Sequence, residues 1–250
     1  MIFFKKKPVV LKCYTDRADV YNYFPVVKAS KTIPEWFKNL PRPKYTGLKK
    51  TENIRNLKEC IGFTNYFAKG FMLPLWSDLI LEIGEKGTDR YRYQYSDQRS
   101  EIVVHPGHTT GNTFSDLEYQ EIKLSSPWLF QCTESIEFMC LQPEWFLDKI
   151  FPVHIVAGVM DFTTNVATNI NAYIKRTEEE QNIFLQAGTP IYHFIPLTEK
   201  KVQLEVHLVT TEKFQNLYLS NSPVTFRRHH AKKHKILKEK KCPFKFDAEN

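Results

Sequence analysis

A chain of 250 residues can bury a proper core without disulfides or metals to hold it, and 19 Phe, 12 Tyr and only nine Gly exclude a fibrous or low-complexity protein. The net charge of +7 is local: residues 227–241, RRHHAKKHKILKEKK, carry eight Lys/Arg against Glu239 alone, so the rest of the chain balances to neutral. Five cysteines (Cys13, Cys60, Cys132, Cys140, Cys242) form no C-x-x-C pair, a pattern that suits reduced thiols in a cytosol-like compartment. MIFFKKKPVV has too short an apolar run before its lysines to read as a signal peptide, and no stretch approaches the length of a membrane span.

In chain order, VVLKCYT (9–15) is β-rich, and FPVVKASKTIPEWFKNLPRP (24–43) is aromatic and punctuated by four prolines. Pro34 in the first turn and Thr32 near the cap predict a short helix over EWF. Residues 1–50 therefore read as an N-terminal arm packed on the body. Cys60, Phe63 and Phe67 at helical spacing predict a helix over 58–69, ended by Gly70, after which LPLWSDLILEI resumes as a strand. RYRYQYS (90–96) and QLEVHLV (203–209) alternate with period two, the mark of half-buried strands. SEIVVHP, YQEIKLSS, WLFQCT, IEFMCLQ, FPVHIVAGVM, TNINAYIK and TPIYHFIPL supply further short runs divided by Pro, Gly, Asn and Ser. So many short strands predict a mainly β, single-domain sandwich or barrel: a β-rich core domain over 51–210, with an aromatic and basic, helical C-terminal segment over 211–250.

The succession IPEWFKNLP, GFMLPLWSDLILEI, SSPWLFQC, FPVHIVAGVMDFTTNVATNINAYI and AGTPIYHFIPL resembles an uncharacterised family of tailed-bacteriophage proteins, T4-like or cyanophage. That resemblance implies a viral origin and no particular chemistry. More locally, residues 155–197 are similar to the dUTPase and dCTP deaminase fold, in which a Gly-x-x-Asp hairpin precedes a Gly-led strand. It implies a jelly-roll or β-clip body, and a ligand site at Asp161, Gly188 and His193. The enzymes' Ser-bearing Pro-Arg-Ser-Gly turn is missing, their later Gln is His193 here, and no Gly-rich C-terminal arm follows. A water-activating carboxylate needs phosphate-binding donors and usually a metal beside it, and those departures remove most of that chemistry.

The residues taken singly have bland readings as well. Asp161 suits a turn aspartate bonded to its own backbone. His105 and His108, in HPGH, have metal-ligand spacing but no third or fourth partner in the sequence. Trp36, Trp76, Trp128 and Trp145 each sit in an apolar run, as core or edge packing residues do, rather than beside the basic tail as base-stacking platforms would. The tail's Arg227, Arg228, Lys232, Lys233, Lys235, Lys238, Lys240 and Lys241 suit phosphates of a nucleic acid, an acidic protein partner, or solvent alone.

The expectation from the sequence is a non-enzymatic phage protein that acts by binding. It would be a virion or assembly component or an accessory interaction protein in the host cytoplasm or the virion, with viral or host protein partners. No cofactor, metal or membrane is expected. The alternative is a nucleotide-binding dUTPase-like protein, a degraded hydrolase or a sponge for a nucleotide signal, and as such a homo-oligomer, a trimer with pockets between subunits.

Overall fold

The alternating and continuous apolar runs build fourteen strands among the described residues, which in this computed structural model are 8–42, 56–104, 115–163 and 167–221. Three open sheets share them, and none closes into a barrel. The first sheet runs β14 (Val202–Leu208), β1 (Val9–Thr15), β7 (Tyr119–Cys132), β11 (Ala167–Lys175) and β9 (Val153–Ile155), with β6 (Ile102–Val103) also on β7. The second runs β10 (Gly158–Asp161), β8 (Glu137–Leu141), β13 (Pro190–Pro196), β3 (Phe71–Pro74) and β2 (Val27–Lys28). A third, smaller sheet sets β4 (Leu79–Ile83) between β12 (Gln181–Leu185) and β5 (Tyr91–Tyr95). Every pairing is antiparallel except β1 with β14.

Period-two alternation aims one face of each large sheet at a common core. On β1, Val9, Leu11 and Cys13 are buried; on β11, Ile170, Ala172 and Ile174 are. The layers meet through aromatic rings: Phe130 of β7 lies 5.0 Å from Phe194 of β13, and Phe162 stacks between Phe130 and Phe138 at 5.1 and 5.2 Å. Rings of this size dominate core energetics through the apolar area they remove from water.

Several sequence expectations change in detail. Within the stretch expected to form an N-terminal arm, Val9–Thr15 is β1, an interior strand, because a run whose alternate residues are all apolar gains most by burial between β14 and β7. After α1 (Ala18–Tyr23), β2 joins the edge of the five-stranded sheet, and Phe37 packs into a second buried cluster with Phe63. In α2 (Glu35–Lys38), Pro34 occupies the N-cap position with no side-chain cap, and Thr32 donates instead to the Ala29 carbonyl at 2.9 Å. The helix expected over 58–69 divides into a 3-10 turn, Leu57–Glu59, and α3 (Ile61–Ala68); Phe63 and Phe67 are its buried face, whereas Cys60 is an exposed N-cap. LPLWSDLILEI is two strands of different sheets, broken at Leu75–Asp78. YQEIKLSS and WLFQCT, conversely, are one fourteen-residue strand. Ala167 pairs with Leu129 and Asn169 with Ser125, so the extra residues at Ser126–Trp128 form a bulge that accommodates Pro127, which has no N–H to give the ladder. Of the C-terminal segment expected to be helical, 211–221 form α5 (Thr211–Asn221) and 222–250 lie outside the described residues; no helix of the described residues is long and apolar enough to cross a membrane.

Candidate functional site

The outer face of the five-stranded sheet divides into two halves. One half is covered. Gly70 turns the chain out of α3 into β3 with φ +79°, and a Cβ there would lie 2.1 Å from the Phe194 carbonyl oxygen, so only glycine permits this approach. The turn folds α3 back over its own sheet. Phe63, Phe67, Ala29 and Met72 are buried together as a second core, with Phe37 stacked on Phe63 at 4.0 Å and Trp145 edge-on to it at 4.6 Å.

His193 lies beneath this cap, fully buried, level with Met72 on β3 and Leu141 on β8. Its Nε2 is 2.8 Å from the Lys69 carbonyl, so Nε2 carries the proton and donates, and the Tyr66 ring packs edge-on at 4.6 Å. Burial pulls its pKa below the ordinary histidine value, against the opposing pull of the Lys69 carbonyl. The imidazole is therefore neutral. Its Nδ1 is buried with no hydrogen-bond partner among the described residues.

Among the described residues nothing caps the other half. One step further along the same face, Val159 of β10, Met139 of β8 and Ile195 of β13 stand opposite one another across three strands. Val159 is 54% exposed and Met139 41%, Ile195 is half-buried, and Leu197 just beyond is 47% exposed. Glu137 and Asp161, paired across β8 and β10, lie at the end of this apolar row. Contiguous exposed apolar side chains with a polar rim mark interaction surfaces, whereas scattered ones do not.

Asp161 itself organises a turn. Its Oδ1 accepts from the Thr163 backbone N–H at 2.9 Å and from the Thr163 hydroxyl at 2.6 Å, while Oδ2 accepts from Ser135 at 2.6 Å. This turn carries the chain from β10 in one sheet to β11 in the other. Gly188, φ +84°, sits in a different turn and donates to the Leu75 carbonyl at 2.7 Å. It borders a groove of about 500 Å³ with Trp36, Lys31, Lys38 and Lys149. Asp161 and His193 are two strands and four residues apart, roughly 16 Å by strand geometry. Within one chain, the three residues expected to share a ligand site do not converge.

Most other ionisable groups of the interior are engaged in hydrogen bonds, although the buried Arg17 Nε and the Tyr95 hydroxyl have no partner among the described residues. Ser100 donates to Asp97 at 2.7 Å and accepts from Trp76 Nε1 at 2.9 Å and from Arg17 at 3.0 Å, leaving its hydroxyl no lone pair for nucleophilic work. Burial opposes the charge on Asp97, but hydrogen bonds from Ser100, Ser77 and the Arg99 N–H, with Arg17 alongside, bring its pKa down to about 2. Buried Arg176 donates to the Asp116, Gly84 and Arg90 carbonyls and to Gln120 Oε1, at 2.7–2.9 Å, tying the small sheet to β7. Burial raises the thiols of Cys13 and Cys140, the latter to about 12, away from nucleophilic use.

Trp76 and Trp128 are core residues, and Trp36 and Trp145 pack on each other 5.9 Å apart in the cap. Among the described residues no group of three or more His, Cys, Asp or Glu is arranged to hold a metal ion. His105, His108 and the eight cations of the basic tail lie outside the described residues. The exposed row is the feature that sequence reasoning missed: GVMD and IEFMCLQ show alternation, but which face a cap covers depends on a helix some seventy residues away.

The chain matches no family model and no curated protein.

Proposed function

We propose that the protein acts by docking rather than by catalysis, its bare half-sheet seating a protein partner in a viral assembly or an accessory complex. The observation that carries this reading is the apolar row Val159, Met139, Ile195 on three adjacent strands, left open on a face whose other half is sealed. Burying two or three such side chains against a partner is worth on the order of 1.5–3 kcal/mol each, the scale of an interface hot spot. The viral context rests on the sequence resemblance alone, and the jelly-roll or β-clip assignment of the body belongs to the same proposal.

The test is the composition of purified particles, with a photo-reactive residue at Val159 to capture what lies on the row. A cross-link from Val159 to a particle protein supports the reading as an assembly component. A cross-link to a protein of the infected-cell extract supports an accessory role, and no cross-link from either source overturns docking at this face.

The nucleotide alternative requires a site formed between subunits, because Asp161, Gly188 and His193 do not meet within one chain and His193 is sealed under α3. A ligand at about 100 times its dissociation constant stabilises its protein by roughly 2.7 kcal/mol. Melting temperatures unchanged by dUTP, dCTP and cyclic dinucleotides would eliminate that alternative.

A further inference from the structure

We infer that β14, the outer strand of the six-stranded sheet, is a dimerisation edge, and that its occupant is the β14 of a second copy of this chain, paired antiparallel about a twofold axis through Val206. The inference is independent of the docking face, which lies on the opposite sheet.

The backbone supplies the first argument. The Val209 N–H donates to the Thr15 carbonyl of β1 at 2.9 Å. Backbone groups alternate sides along a strand, so residues 203, 205 and 207 also point theirs at β1, and Leu204, Val206 and Leu208 point N–H and C=O outward. No strand among the described residues covers that edge. At seven residues it is the longest edge strand of the three sheets, against five for β5 and β12, four for β10, three for β9 and two for β2. Long edges are normally blunted by a proline, a bulge or an inward-pointing charge. Residues 202–208, VQLEVHL, contain no proline, pair with β1 without a register break, and turn only Val202, Leu204, Val206 and Leu208 toward the core side.

The side chains supply the second argument, because they select one register. Only pairings that set outward-pointing residues opposite each other make hydrogen bonds. A twofold axis at Val206 sets Val206 against Val206 and Leu204 against Leu208, covering a leucine that is 46% exposed in the single chain. The same axis sets Glu205 directly opposite His207 twice, in the close non-hydrogen-bonded positions where a carboxylate can accept from an imidazole N–H across the seam. An axis at Glu205 would oppose two glutamates, and an axis at Leu204 would oppose His207 to Lys201. Glu205 and His207 already meet within one chain at 3.4 Å, and Tyr14 of β1 stacks on His207 at 5.2 Å, which orients the imidazole along the outer face.

The experiment is sedimentation equilibrium of the full chain over a wide concentration range. The expected result is a monomer–dimer equilibrium. Val206→Pro removes an outward N–H that the fold itself does not use, so it should weaken the dimer at least about tenfold while leaving the circular dichroism spectrum unchanged. Glu205→His or His207→Glu alone should weaken it by up to about tenfold, and the exchanged double variant should restore it, since the exchange rebuilds both cross-axis pairs only in the Val206 register. A monomer at every concentration overturns the inference. So does a dimer indifferent to Val206→Pro, and so does a double variant no better than the singles. Should Val206→Pro lose the native spectrum, the exchange series alone decides, because its side chains sit on the exposed outer face.

Discussion

His193 and Ile195 are two residues apart on one strand, face the same way, and have opposite fates. His193 is sealed beneath Phe63, Phe67 and Tyr66, while Ile195, with Met139 and Val159 beside it, faces outward on a row that no described residue caps. The sheet is the same on both sides of that boundary, and what differs is the segment that folds back at Gly70. The contrast separates side chains that stabilise the molecule from side chains that stay available to a partner, a distinction that hydrophobicity alone would not draw.

Substitutions on the two halves should therefore differ sharply. The largest effect is expected from Phe63→Ala, which empties the centre of the cap and should cost about 3–5 kcal/mol in denaturant unfolding. Gly70→Ala should follow at roughly 2–5 kcal/mol, combining a strained positive φ with a Cβ forced onto the Phe194 carbonyl. A smaller effect should come from acid. Because burial holds the folded-state pKa of His193 below the unfolded value, the unfolded chain binds the proton first, and stability present above about pH 6.5 should decline as pH falls below it. Unfolding curves across that range check this, and His193→Gln, which can still donate to Lys69, should flatten the dependence. The smallest effect on stability belongs to the open half: Met139→Lys with Val159→Thr should stay within about 0.5 kcal/mol of the parent and yet abolish partner capture.

Much of the frame is legible in the sequence. Period two in QLEVHLV and TNINAYIK identifies strands, and Phe63 and Phe67 identify the buried side of a helix. What is not legible is tertiary. Pro127 reads as a divider because a proline interrupts a ladder, yet a bulge lets one strand run through it. GVMD and TPIYHFIP read as neighbouring parts of one pocket, yet β10 and β13 are separated by β8, and Asp161 spends its carboxylate on a turn. Whether His193 is open or sealed is decided by α3, which the chain returns across the sheet only because residue 70 lacks a side chain. No periodicity within 187–196 carries that information.

The account rests on the two halves having different work, and one measurement tests it most directly. Photo-reactive residues placed singly at Val159 on the open row and at Tyr23, an exposed aromatic remote from it in the fold, should be compared in the cell that makes the protein. The account predicts a single dominant protein cross-link from Val159, lost when Met139→Lys is added, and none of comparable yield from Tyr23. Equal yields from both positions, or a Val159 cross-link that survives Met139→Lys unchanged, would contradict it.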